Sequence, residues 1–380
     1  MEVLLHEGRL LSAAGHDVEQ FTVSAAEDAG VSALNAGAKA IWNRDATGEL
    51  DGWINRFRPD VVHVHTPFPL MSPAVFRMAH RRGVPTVTTL HSYRYSCVTG
   101  TCSRGGRPCE DCVGSTLKLA GVKNRCYHDS LAGSAALTAS LVLHRSLGTF
   151  HRHVDRYLAL TEFSRRLLIR DGFPAERIVV KPNSVVDPGI LPGPKVGQRR
   201  VVFAGRLLEV KGVRTLLDAW RQVPGDMKLV IAGDGPLRPL VEERARQDGT
   251  IEYVGWLDED DVLMEMAHAE AVLVPSEWYE ALPLVILRSL SVGTPVVVTD
   301  LENLCHDVEA DEAGWSFTMG DPAALARRLT ELSADPGLAR SRRTKARCSY
   351  EARYTTSVDL QRLEAIYHDV SVQRRVLDIS

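Results

Sequence analysis

A chain of 380 residues, 44% hydrophobic and 24% charged, has the make-up of a globular protein large enough for two α/β domains, each with its own core. Its formal net charge of −3 argues against a general nucleic-acid binder, whose surface carries a basic excess. No apolar run approaches the roughly 20 residues that span a bilayer, and MEVLLHEGRLLSAAGHD places acidic residues where a signal peptide is positive, so the expectation is a cytoplasmic protein with at most peripheral membrane contact.

The chain opens inside a helix, with Val3, Leu4 and Leu11 apolar and Gly15 as its stop, and no strand comes before it. A doubly wound domain ordinarily begins with a central strand and a glycine-rich turn, so this start is unusual. Strand-like runs follow in HDVEQFTV, PDVVHVH, VPTVTTLH, VDRYLAL and RIVVKPN, with helical stretches such as SPAVFRMAHRRG and EFSRRLLIRDG between them. The second half repeats the rhythm. RRVVFAG, MKLVIAGDG, IEYVGW, EAVLVPS, TPVVVTD and GWSFTM read as strands, and VRTLLDAWRQV, LRPLVEERARQ, DVLMEMAHA, LPLVILRSLSV and DPAALARRLTEL as helices.

Short β-branched runs alternating with helices indicate parallel sheets covered on both faces. The aperiodic, Pro- and Gly-rich stretch from Asp187 to Gln198 reads as the hinge. The expected organisation is an N-terminal Rossmann-like domain over 1–188 with a cysteine-rich insert at 97–126, a second Rossmann-like domain over 198–345, and a helical tail over 346–380. Tyr354, Val358, Leu363, Ile366 and Tyr367 stand at helical spacing in that tail, which is expected to pack back on the first domain. Ligands of open α/β sheets bind at the carboxyl ends of the strands, so a cleft between the domains is the expected site.

Four segments carry a more specific signal: AGRLLEVKGV at 204–213, AGDGP at 232–236, YVGWL at 253–257 and PSEWYEALPLVILRSLSVGTPVV at 275–297. With HVHTPFPLMSPAV, TLHSYRYSC, the CEDC pair and HRSLGTFHRHVDRYLALTEFSR in the first half, the chain resembles the retaining glycosyltransferases of family four, over nearly its whole length. The resemblance implies the GT-B fold and transfer of a hexosyl or related sugar from a UDP-, GDP- or dTDP-linked donor to a hydroxyl acceptor.

Arg206 and Lys211 flank the loop after a predicted strand, where two cations stabilise the charge that builds on a departing diphosphate. The resemblance sets Glu280 against the donor sugar, the Ala281 and Leu282 amides near sugar and diphosphate, and Leu284 at the start of the following helix. That helix carries Pro283 in its first turn, where a missing N–H is tolerated, and its free N–H groups favour an anion. Backbone around Gly255 and Leu257 is expected to contact the base. His91, at the end of VPTVTTLH, is implied to bond the donor sugar near the reacting carbon. His63 and His65 are expected to alternate between the sheet faces as packing residues.

One position departs from the family pattern. Where it has a glutamate for the ribose hydroxyls, this sequence has Arg288, which offers donors only. The departure predicts altered nucleotide selectivity and keeps open a catalytically silent sugar-nucleotide-binding homologue or partner subunit. The implied front-side displacement with retention needs no metal or other cofactor, and Asp258, Asp260 and Asp261 read as a helix N-cap.

Five of the seven cysteines fall between Cys97 and Cys126. The Cys109-Glu-Asp-Cys112 spacing suits a structural zinc site; disulfides and unrelated free thiols are the alternatives. The subgroup pattern adds Cys97 and Cys126 as partners and leaves Cys102 spare.

Overall fold

The computed structural model describes residues 2–23, 33–194, 197, 199–225 and 227–379. They form two compact units: Met1–Arg104, Cys109–Pro182 and Asp359–Ser380 make one, and Gly105–Pro108 with Asn183–Val358 the other.

The first unit is built on β1 (Val62–Val64), β2 (Thr86–Thr89), β5 (Arg156–Ala159) and β6 (Ile178–Val180), parallel and in the order β1-β2-β5-β6. The insert carries the two-residue strands β3 (Ser103–Arg104) and β4 (Arg107–Pro108), the latter in the stretch assigned to the second unit. Buried threonines in β2 are tolerated because their hydroxyls are bonded: Thr88 Oγ1 donates to the Val64 carbonyl at 2.8 Å and Thr86 Oγ1 to that of His153 at 2.7 Å. One core gathers Leu50, Phe76, Leu137, Phe150 and Tyr157. In a second, Val87 and Leu158 meet Leu363, Ile366 and Val370 from the helix Thr356–Ile379.

Two expectations at the ends of this unit are corrected. HDVEQFTV, residues 16–23, forms no strand: the chain leaves the helix Glu2–Ala13 and runs irregularly. Among the described residues no strand precedes β1, which lies at the sheet edge, so that segment has no neighbouring strand to pair with. The tail is not one helix. Pro336–Arg353 stops at Tyr354, and Ala346, Tyr350 and Tyr354 lie in the second unit's core; the first unit takes over at Asp359.

The second unit places β7 (Arg200–Ala204), β8 (Lys228–Ala232), β9 (Ile251–Gly255), β10 (Ala271–Val274), β11 (Val296–Thr299) and β12 (Gly314–Phe317) in the parallel order β12-β11-β10-β7-β8-β9. Period-two alternation divides its side chains. Val201, Phe203, Leu229 and Ile231 enter one core with Leu216, Leu217 and Leu325, while Val202, Val230, Val272 and Val298 enter another with Leu287 and Tyr350. This unit starts before the expected hinge ends. The Val185 N–H donates to the Tyr354 carbonyl at 3.1 Å, and Arg347 pairs with Asp187 at 2.5 Å, which binds 183–187 to the second unit. Strand order reverses between β7 and β10, the position at which open α/β sheets take their ligands.

Candidate functional site

Three loops meet at the carboxyl edge of the second unit's sheet, and glycine is what lets them close up. At Gly212 the backbone has φ +70°, and a Cβ there would lie 1.8 Å from the Pro275 carbonyl oxygen. At Gly233, with φ +137°, a Cβ would lie 1.9 Å from the carbonyl oxygen of Gly205. Only glycine serves at either place. Backbone bonds then lock the loops together, with Leu207 N–H to the Asp234 carbonyl at 2.9 Å and Glu277 N–H to that of Val210 at 2.9 Å.

This packing brings Lys211, from the β7 loop, against Glu280, from the β10 loop. Lys211 Nζ lies 2.5 Å from Glu280 Oε2. The Ser276 hydroxyl donates to Oε1, and Asn303 Nδ2 donates to the Glu280 carbonyl at 2.6 Å. Their side chains are 20% and 10% exposed, which leaves an ion pair at the surface of the topological switch. Arg206 stands on the Lys211 loop but is exposed, and among the described residues its guanidinium makes no ion pair. The structure therefore unites two of the three predicted residues and does not bring the third into contact with them.

Around this pair, Ala281, Leu282 and Leu284 are half-buried. Pro283 is not in the first turn as expected: with ψ 123° it is the extended N-cap, and the helix Leu284–Ser291 begins after it. Gly255 closes β9 at φ +74°, its carbonyl accepting from Gly233 N–H at 2.7 Å, and Leu257 follows half-buried. Asp258 caps the helix Glu259–His268 by accepting from Asp261 N–H at 3.0 Å. Arg288 sends Nε and Nη2 to Glu259 Oε1 at 3.0 and 2.9 Å.

In the first unit the carboxyl ends of β1, β2 and β6 carry His65, His91 and Lys181. His65 Nδ1 is 2.8 Å from His91 Nε2, and His65 Nε2 is 3.3 Å from Glu7 Oε2, on the N-terminal helix. Lys181 Nζ lies 2.5 Å from Glu7 Oε1 and 2.6 Å from Asp359 Oδ1. His63 does not alternate with His65. Two residues apart on a strand, they share a face, with ring centroids 4.3 Å apart. Both nitrogens of His63 are taken, by Tyr367 Oη at 2.7 Å and Thr89 Oγ1 at 2.8 Å.

Burial, reinforced by the Lys181 charge, pushes His63 down to about 3 and His91 down to about 4; burial likewise carries His65 well below the ordinary imidazole range. All three rings are neutral at pH 7. Burial raises the Glu7 carboxyl while Lys181 opposes it; burial would lower the Lys181 ammonium, which Glu7 and Asp359 hold up. Glu7, His63 and His65 offer atoms close enough together for a metal ion. The Lys181 ammonium already pairs with the carboxylate of that set, which makes it a poor cation site.

Cys97, Cys109, Cys112 and Cys126 line one small cavity of the insert. Among the described residues no three of their sulfurs lie within 4.8 Å of one another. A hydrogen bond with Cys102 is the main influence drawing the Cys97 thiol down to about 5. The insert is also braced by a buried ion cluster. Lys118 Nζ reaches Asp171 Oδ1 at 2.9 Å and the carbonyls of Ser96 and Cys112 at 3.0 Å each, and Arg145 reaches Asp171 Oδ2 at 2.6 Å.

Residues 2–184 match the model of the glycosyl transferase 4-like domain, and residues 198–335 that of the glycosyl transferases group 1. Each half of the chain thus matches a glycosyltransferase domain. It is 28% identical over 316 residues to a glycogen synthase of Mycobacterium tuberculosis, across 80% of this chain and 66% of that protein. A phosphatidyl-myo-inositol mannosyltransferase of Mycobacterium leprae is 28% identical over 261 residues, across 64% of this chain and 66% of that one. The match to a putative colanic acid biosynthesis glycosyltransferase of Escherichia coli is shorter, 48% of each chain at 29% identity. Among solved structures, Anabaena HepE in complex with UDP superposes with TM-score 0.62 at 17% identity, covering 84% of this chain and 81% of that one. A Rickettsia africae glycosyltransferase gives 0.64 at 14%, covering 93% and 84%. These structural likenesses carry the fold, two Rossmann-like domains of the GT-B type.

Sequence reading missed Glu7, Lys181 and Asp359, and also Lys118 with Asp171. The one available signal was charge at apolar positions: Lys181 directly follows IVV, and Asp359 stands in the tail helix's apolar stripe.

Proposed function

We propose that the protein is a retaining glycosyltransferase that takes a sugar from a nucleotide diphosphate donor and joins it to a hydroxyl acceptor. The observation that carries this reading is the Lys211–Glu280 pair at the switch between β7 and β10. A diphosphate arriving there meets an ammonium that has further donors to offer, with exposed Arg206 on the same loop. Both cations gain most when the glycosidic bond breaks and charge builds on the leaving oxygen. Glu280, oriented by Ser276 and by its own backbone bond to Asn303, has the acceptor chemistry that sugar hydroxyls need. In this reading the departing phosphate takes the proton of the incoming hydroxyl, and bond making follows on the face that bond breaking has opened.

Arg288 fits the same reading through Glu259. Both bonds from Arg288 converge on one Glu259 oxygen, and that carboxylate is 61% exposed. A carboxylate held in this way can accept from ribose hydroxyls and so offset the acceptor lost at position 288. The cysteine cavity would hold a structural zinc through Cys97, Cys109, Cys112 and Cys126, drawing their sulfurs together.

Incubation with UDP-, GDP- and dTDP-linked hexoses tests the reading. Transfer to a hydroxyl acceptor, or slow hydrolysis of one donor with retained configuration, is the expected result. Nucleotide binding without turnover, in both the native chain and Arg288→Glu, favours a silent partner subunit instead.

A further inference from the structure

We propose that Glu7 and His65 are positioning residues that fix the tautomer of His91, so that His91 presents Nδ1 as a hydrogen-bond acceptor to a substrate hydroxyl. Two neutral imidazoles facing each other nitrogen to nitrogen share one proton, so the 2.8 Å contact between His65 Nδ1 and His91 Nε2 has a direction. The far end of the chain sets it. Glu7 Oε1 is held by the Lys181 ammonium at 2.5 Å, which favours the carboxylate. Its Oε2 is buried and has no hydrogen-bond partner of good geometry; the donor facing it is His65 Nε2 at 3.3 Å. A buried carboxylate oxygen requires a donor, so the proton of His65 belongs on Nε2.

With Nε2 protonated and the ring neutral, His65 Nδ1 is a lone pair, and the shared proton must sit on His91 Nε2. The lone pair of His91 is then on Nδ1. That atom makes no hydrogen bond among the described residues, and the ring is only partly buried. The rings of His65 and His91 are nearly parallel, 14° apart with centroids 5.1 Å apart, which agrees with a bond lying in the plane of both. His63 does not compete for the proton, since Thr89 and Tyr367 take both of its nitrogens. The chain of contacts thus runs from a salt-bridged carboxylate through one imidazole to another, and it ends on an acceptor. That a sugar or acceptor hydroxyl is what meets this nitrogen rests on the function proposed above.

The test is the tautomer itself, read on the full-length protein with nitrogen-15-labelled histidine at neutral pH, signals being assigned with His65→Phe and His91→Asn. The expected spectrum shows both His65 and His91 protonated on Nε2 and bare on Nδ1. In Glu7→Met and in His65→Phe, His91 should shift to a mixture of the two tautomers, while a merely structural role for either residue leaves its tautomer unchanged. A native spectrum with His91 protonated on Nδ1, or doubly protonated, overturns the proposal even if neither variant folds. Donor turnover with a reversed His91 tautomer sinks this inference alone. The expected tautomer without turnover of any donor sinks the transferase reading and leaves the relay standing.

Discussion

Gly212 shows how a single residue sets the site. It holds a left-handed turn one residue after Lys211, pressed against the Pro275 carbonyl. Gly212→Ala should lower stability by more than about 1 kcal/mol, because the new Cβ meets backbone at a positive φ; a shift in the denaturant midpoint measures it. The histidines give a pH prediction. Their folded values lie below the ordinary imidazole value of 6.5, to about 3 for His63 and about 4 for His91, so between 6.5 and 4 the unfolded chain binds the protons first. Stability contributed by these rings is present above 6.5 and falls as the pH is lowered through that window. Chemical unfolding at pH 7 and pH 5 should show the loss, and His63→Gln should reduce it. Lys211, Glu280 and His91 were legible because each sits in a short motif beside a strand end. Glu7 was not, since its partner Lys181 lies 174 residues away in the chain, and Asp359, which shares that ammonium, more than 300.

Elements were legible where the period decided them and misread where a neighbour did. HDVEQFTV has the β-branched and aromatic residues of a strand, yet pairing requires an adjacent strand, and the sheet ends at β1. The tail read as one amphipathic helix because Tyr354 with Val358, and then Leu363 with Ile366 and Tyr367, recur at intervals of three or four, but the helix breaks between Arg353 and Thr356 and Tyr354 and Leu363 serve different cores. The helix Thr356–Ile379 is a working part of the first unit. Leu363, 0% exposed, packs with Val87 and Leu158, so Leu363→Ala should cost about 2–5 kcal/mol in equilibrium unfolding. Little or no change would mean that this helix is dispensable for the first unit's core.

At the scale of the molecule, two parallel sheets with separate cores were visible in the alternation of strands and helices. The unit borders were not, because Asn183–Asp187 and the helix Pro336–Arg353 join the second unit through backbone bonds and an ion pair that no composition shift marks. If the second unit alone takes the nucleotide, a bound nucleoside diphosphate should raise the unfolding temperature of that unit's transition and leave the other where it was; scanning calorimetry distinguishes the two outcomes. The most direct test of the account is calorimetric titration of the full-length protein and of Lys211→Ala with UDP, GDP and dTDP. One of the three should bind the native chain, and the variant should lose about tenfold or more in affinity, as expected for a lost charge-assisted bond of roughly 1.5–3 kcal/mol. Equal binding to both proteins, or no binding of any of them to the native chain, would contradict it.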